Sequence, residues 1–351
     1  AFNVGNQDFG SEAGANIGVL VLDRSKVLSN FLDNTDTNQQ GVELKGSGIM
    51  VKHARAIIRN SLIADNYFTG TSTVWSRGAG IFVYNGDITL INSTVSGNEG
   101  FTGNHGSGLI VDNDIASFQH FSRDIVILNS IIAGNTPSDN QFYIGYPGFP
   151  GGYTDYTAMY NSIFENGSDE SWFDTGDDHY DFEPRFADST YVLSEYSQAI
   201  GRGGTSIEDS DENDISAPSI DINGDPRPNP AGSNPDLGAY EHELSDYRRA
   251  VYYVDNANGD DGNDGLSFAE SVKTISGALG KSSSQDTLEL AAGTYSGADN
   301  RNLNMEGLTR IIRSASGPAS TIIDCDNQGP AFVFDTDEPD SVHISGLTII
   351  N

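Results

Sequence analysis

Cysteine is nearly missing from this chain, and so is positive charge. The single cysteine, Cys325, rules out any disulfide within the chain. Its stability therefore comes from packing and hydrogen bonding, and the redox compartment stays open. Cys325 closes the apolar run Thr321-Ile-Ile-Asp-Cys325, which reads as a buried thiol and not a reactive one. Only 18 basic residues face 50 acidic ones, for a formal charge of −32. Nucleic acid and anionic membranes are poor partners for such a chain, because each needs a basic face. No apolar run is long enough to span a bilayer and no stretch reads as a signal peptide, so no membrane insertion is expected. With two tryptophans, an aromatic binding platform would rest on exposed Tyr and on Trp75 and Trp172.

What the chain does have is glycine, asparagine and repetition. Forty glycines suit a fold that turns every few residues. Gly46-Ser-Gly-Ile-Met-Val51, Gly78-Ala-Gly-Ile-Phe-Val83 and Gly106-Ser-Gly-Leu-Ile-Val111 are copies of one unit. Each is followed by a second apolar run ending in Asn-Ser, and then by Ala64-Asp-Asn66, Ser96-Gly-Asn98 or Ala133-Gly-Asn135. The Asn before Ser recurs at 60, 92, 129 and 161, in steps of 32, 37 and 32 residues. Runs this short and this punctuated are strands, and one set per repeat makes a solenoid of parallel sheets. Asn suits the bend between sheets because it tolerates the left-handed backbone region. Strand alternation places Ile49/Val51, Ile81/Val83 and Leu109/Val111 inward as ladders, with Met50, Phe82 and Ile110 facing away. The stretch 267–281 differs: Phe268, Val272, Ile275 and Leu279 share one helical face, Ser267 and Glu270 form a capping box, and Gly280 lies near the end. It reads as a helix capping the first coil. Glu208–Asp214 reads as a solvated acidic loop, and Tyr191–Leu193 as a strand.

Two further groups of motifs stand in an unusual order. Tyr252-Tyr-Val-Asp-Asn-Ala-Asn-Gly-Asp-Asp-Gly-Asn-Asp-Gly265, Gly317-Pro318, Thr321-Ile-Ile-Asp324 and Gly346-Leu-Thr-Ile-Ile-Asn351 follow Asp221-Ile-Asn-Gly-Asp-Pro-Arg-Pro228 and Asp236-Leu-Gly-Ala-Tyr-Glu241. Taken cyclically, this resembles secreted right-handed parallel β-helix proteins of the pectate-lyase-like kind with the choice-of-anchor Q ending. In those proteins the first group opens the chain and the second closes it. The resemblance implies an all-β fold, a right-handed parallel β-helix of eight or nine coils with one short helix at 267–281, in an extracellular or cell-surface setting. Residues 1–241 then supply the later coils and end cap, 242–251 an exposed linker, and 252–351 the first cap and coils, of the same module or a neighbouring one.

Three kinds of chemistry are weighed on this frame. Lyases of this shape need a Lys or Arg base and often calcium. Lys52, His53, Arg55 and Arg59 are the candidate cluster, with Arg77 and His105 a coil or two away, against the alternative that they occupy an exposed turn. Hydrolases need paired carboxylates, and no such pair stands in a matching place. Asp255, Asn258, Asp260, Asp261 and Asp264 crowd oxygens into one Gly-broken loop that could hold Ca2+, or could be a set of Asx turns. Asp221, Asn223 and Asp225 form a smaller loop of that kind.

Asn351 falls in mid-coil and Ala1 resumes it. Ala1, Phe2, Ile349, Ile350 and Asn351 are therefore expected at exposed strand edges that a second copy completes. The leading functional expectation is a non-enzymatic structural module that partners itself head to tail or in tandem. The alternatives are a lyase or hydrolase acting on acidic polysaccharide, and a passive glycan-binding adhesin.

Overall fold

A computed structural model describes residues 2–5, 18–34, 44–70, 76–101, 107–112, 124–137, 141–145, 156–164, 175–180, 182–208, 213–335 and 342–351. Ala1, Trp75, His105 and Trp172 lie outside the described residues. The chain forms two compact units, Ala1–Tyr247 and Arg248–Asn351. Both are parallel β-solenoids. Among the described residues no helix is long and apolar enough to cross a membrane.

In the first unit, one sheet stacks Phe2–Gly5, Ile49–Lys52, Ile81–Tyr84, Leu109–Asp112 and Phe142–Gly145 in that order. A second stacks Gly18–Asp23, Ala54–Arg59, Asp87–Ile91, Asp124–Leu128 and Tyr156–Phe164. The last strand runs through the bend and also pairs with Ile131–Ala133, which continues the series to Thr94–Ser96, Leu62–Ala64 and Lys26–Leu28. The register is the expected one: Ile81 pairs with Ile49 and Leu109, and Val83 with Val51 and Val111. All six side chains join one buried cluster, to which Met50, Phe82 and Ile110 do not belong. The bends follow the asparagines, with φ of 47° at Asn60, 42° at Asn92, 49° at Asn129 and 47° at Asn161.

A second asparagine series runs inside the stack. Asn30, Asn66 and Asn98 each donate from Nδ2 to Oδ1 of the asparagine one coil on, at 2.8–2.9 Å. Their backbone N–H groups donate to the same oxygens at 3.0–3.1 Å. Gln141 ends the ladder: its Oε1 accepts from Asn135 N and Nδ2, and its Nε2 returns a bond to Asn135 O. The buried amides of this ladder are thereby satisfied from coil to coil.

Residues beyond the last coil form a strap along the side of this unit. Leu193, Ala199, Ile200 and Leu237 cover Ile131 and Ile163, while Ile222, Ala239 and Tyr240 cover Leu62 and Ala64. The acidic stretch at 208–214 is flanked by an antiparallel hairpin, Ser206–Glu208 with Asp214–Ser216. Its Ile207 and Ile215 cover Ile91, Val126 and Leu128. Tyr191–Leu193 makes only an isolated bridge from Leu193 to Phe186, so it is not a regular strand. The stretch 242–251 is not uniformly exposed, because Tyr247 and Ala250 are buried.

The second unit stacks Val251–Val254, Thr287–Leu290, Ile311–Ser314 and His343–Ser345, beside Gly293–Tyr295, Thr321–Asp324 and Thr348–Ile350. Its α-helix is shorter than the pattern suggested, Ile275–Lys281, with Thr274 as the cap. The reason is tertiary. Val272 is held extended against the first strand, donating to Tyr253 O at 3.0 Å and accepting from Asp255 N at 2.9 Å. Asp261 then fixes Lys273 N and Thr274 N just before the helix. Ser267 and Glu270 do bond, but across a turn. Phe268 is not buried: it lies against the outside of the first strand, 4.1 Å from the Tyr253 ring, centroid to centroid, and is 61% exposed. Ile275 and Leu279 are buried as expected. At the helix C-terminus the buried Arg310 donates from Nη2 to Leu279 O and Ser282 O, occupying carbonyls a helix end leaves open.

Candidate functional site

The suspected basic cluster is dispersed by its partners. Arg55 Nε lies 2.9 Å from Asp87 Oδ2, and Arg59 Nη2 lies 3.2 Å from Asp23 Oδ2, each on a neighbouring coil. Asp87 is pushed upward by burial, an effect the Arg55 charge and hydrogen bond only partly offset. His53 sits in the bend at φ 51°, buried, its ring 5.7 Å from that of Tyr84. Burial and then the charge of Lys52 lower its proton affinity. Lys52 is exposed, and it and Lys45 lie over the Tyr84 ring at 5.9 and 5.7 Å. Arg77 is paired with Asp112. Lys52 ends one strand and Arg55 and Arg59 lie on the next, past the bend at His53 and in a different sheet, and each arginine is engaged by a carboxylate of a neighbouring coil.

The acidic loop is internally satisfied. Asp255 Oδ1 accepts from Ala257 N and Asn258 N, and Oδ2 from Asn258 Nδ2. Asp260 accepts from Gly262 N, Asp264 from Leu266 N, and Asp261 from Lys273 N, Thr274 N and Thr274 Oγ1. The Asn258 bond, the largest effect, holds Asp255 below the usual carboxylate range. Among the described residues no three His, Cys, Asp or Glu side chains gather to hold a metal ion. The loop thus has the geometry of a set of Asx turns. Asp221 behaves alike, accepting from Asn223 N, Asp225 N and Glu241 N.

The strap motifs build a buried charge cluster that sequence reading left unpaired. Arg227 Nε lies 2.8 Å from Glu241 Oε2, with both side chains fully buried. Asp236 accepts from Gly201 N at 2.7 Å and His242 N at 2.6 Å. Burial and then the Glu241 charge push Asp236 up to about 8. The strap is also tied to the asparagine bends: Asn92 Nδ2 donates to Asp236 O, and Asn129 exchanges two 2.8 Å bonds with Gly204. The charge cluster joins strap residues to one another, and the bonds of Asn92 and Asn129 fasten the strap to the stack.

The remaining candidates lie at the open ends of the sheets. Gly18–Asp23 and Lys26–Leu28 are terminal in their sheet, paired on one side only among the described residues. His343–Ser345 and Thr348–Ile350 are likewise terminal in theirs. Leu28 is 42% exposed and Phe31 57%, Ile349 51% and Ile350 40%. Phe2–Gly5 pairs with Ile49–Lys52 and is terminal as well. Asn351 is exposed at φ 59° and bonds Asp324 through Nδ2.

The chain matches no family model, no curated protein and no solved structure.

Proposed function

We propose that the chain is a non-enzymatic structural module, extracellular or at a cell surface, that extends head to tail into a filament as the coils of one copy continue those of the next. The observation that carries this reading is the pair of terminal coil edges, each with one neighbouring strand among the described residues, backbone groups facing away from it and large apolar side chains exposed. Such edges are templates for strand addition. A repeated contact between two different faces of one molecule does not close, and so builds a fibre. The motif order that resembles secreted pectate-lyase-like β-helices with a choice-of-anchor Q ending supports the extracellular setting. The dispersal of Lys52, His53, Arg55 and Arg59 favours a structural role over a lyase.

Light scattering during gel filtration tests the reading. Mass should rise with concentration beyond a dimer, and Ile349→Asp should return the chain to one copy. A strictly monomeric chain at all concentrations would refute it. A second reading, passive binding of acidic polysaccharide, rests on Lys45 and Lys52 over Tyr84, a cationic aromatic patch on an otherwise acidic chain. Retention on a uronate column that is lost in Lys52→Ala would favour it.

A further inference from the structure

The two open edges carry the same backbone template, and this fixes how they would meet. In the first unit every described bend-strand-bend segment has positive φ at two positions five residues apart: Arg24 and Ser29, Asn60 and Asp65, Asn92 and Gly97, Asn129 and Gly134. In the second unit, the segment between Ile311–Ser314 and Thr321–Asp324 bends differently, with positive φ at Gly317 and then at Asp326. The last coil alone reverts to the first unit's form, with positive φ at Gly346 and Asn351, again five apart. The side chains agree with this alignment. Ile344 pairs with buried Ile312 and Ile349 with buried Ile323, so both belong to the inward face. Leu22 and Val27, at the equivalent positions of the other edge, are inward residues of the first unit's core.

We infer that the last coil of the second unit docks on the first coil of a second copy, pairing Ile344 with Leu22, Thr348 with Lys26, Ile349 with Val27 and Ile350 with Leu28. The bonds follow from the rule used at each bend of the first unit. There the first positive-φ residue donates to the carbonyl preceding the next coil's bend, as Asn60 N does to Ile91 O, and Asp65 N donates to Ser96 O. In return, Thr94 N donates to Ser61 O. At the junction Gly346 N therefore donates to Asp23 O, Asn351 N to Leu28 O, and Lys26 N to Leu347 O. The two inward pairs extend the core across the joint without a break.

This register rests on the head-to-tail reading above, and disulfide trapping separates the two. Adjacent parallel strands are about 4.8 Å apart, within the roughly 4.4–6.8 Å that a disulfide spans between Cα atoms. Two single variants, Ile350→Cys and Leu28→Cys, are mixed and oxidised, so that a bond between the new thiols can only join copies. Cys325 is buried and is present in every control, including the unsubstituted chain. The expected result is a non-reducing band of two chains' mass from the mixture, at least tenfold over Ile350→Cys mixed with Lys26→Cys. That control pair is displaced two residues, to about 8 Å. Equal or greater linkage of the displaced pair in a chain that still assembles would overturn the register and leave assembly standing. A bond that forms only within a single chain carrying both substitutions would overturn the copy-to-copy contact. A monomeric chain with no link would remove both.

Discussion

The buried asparagine ladder offers the sharpest quantitative test of what holds the coils together. Asn98 is fully buried. Its Oδ1 accepts from Asn66 N at 3.0 Å and Asn66 Nδ2 at 2.8 Å, and its Nδ2 donates to Ile63 O at 3.0 Å and Asn135 Oδ1 at 2.8 Å. Alanine at this position removes these four bonds and the 3.2 Å bond from Nδ2 to Ser96 O within the same coil. Asn66 Nδ2 keeps its bond to Val27 O, and Asn135 Oδ1 keeps that from Asn98 N. The Asn66 backbone N–H loses the acceptor that satisfied it. Orphaning one buried amide costs about 1–3 kcal/mol, and each bond lost between groups that stay paired contributes about 1 kcal/mol. Asn98→Ala should therefore cost on the order of 3–5 kcal/mol. The comparison is Asn30→Ala at the half-exposed first rung, where water can replace the side chain, and there the loss should stay under about 1 kcal/mol. Urea unfolding followed by far-UV circular dichroism reads the difference, provided the slopes match so that midpoints can be compared. Equal midpoint shifts for the two variants would show that the ladder fills space without bearing load, and the reasoning would fail.

Phe268→Ala should change stability by less than about 0.5 kcal/mol because the ring is exposed, whereas Ile275→Ala, fully buried, should cost about 2–5 kcal/mol; thermal melts that reverse this order would restore the longer helix. Asp236, pushed up to about 8, favours its protonated form in the folded chain. Its contribution is thus full below pH about 4 and is lost as pH rises through 8. Melting temperature should fall between pH 5 and 9, and Asp236→Asn should flatten that fall; an unchanged slope would contradict the assignment. Arg227→Ala leaves Glu241 buried without its cation and should cost about 3–5 kcal/mol, read by urea unfolding. Calorimetric titration of Ca2+ should give no saturable heat at 255–264, and a stoichiometric signal lost in Asp261→Asn would overturn the Asx-turn account.

The parts of the fold that were legible in the sequence are those where one coil repeats the demand of the last. Ile49, Ile81 and Leu109 stand in equivalent places because each must fill the same interior layer, so their register could be read directly. Asn60, Asn92 and Asn129 could be read because a left-handed bend admits few residue types. The helix was legible only in its second half. A capping box at Ser267 is a local signal, and the strand pairing of Val272 outweighs it. The strap was illegible for a different reason. Its attachment joins Asn92 to Asp236 and Thr94 to Ala239, across 144 and 145 residues, with no periodicity to announce it. The pairing of Arg227 with Glu241 was hidden likewise, although both residues lie within motifs that had been singled out. The candidate edges were visible as an odd phase of motifs, but their matched bends needed backbone angles.

The bend asparagines serve two purposes, and substitution can separate them. Asn60 and Asn129 share nearly the same left-handed φ, 47° and 49°. Glycine supplies that conformation without strain, and alanine does not. The two sites differ in what the amide touches. Among the described residues Asn60 Oδ1 accepts no hydrogen bond, whereas Asn129 donates to Gly204 O and accepts from Gly204 N, both at 2.8 Å, fastening the strap. If the bend alone mattered, Asn→Gly would be equally mild at both positions. If the clamp matters as well, Asn60→Gly should stay within about 1 kcal/mol, while Asn129→Gly should cost about 2 kcal/mol more, at roughly 1 kcal/mol per bond lost. Asn129→Gly should also speed exchange of the Gly204 amide, since that N–H loses its acceptor. Hydrogen exchange measured by mass spectrometry on peptides covering 199–208 would show this directly. Unchanged protection there, with equal losses at both sites, would mean that backbone geometry alone calls for asparagine at the bends and that packing by Leu237, Ala239 and Tyr240 is what holds the strap.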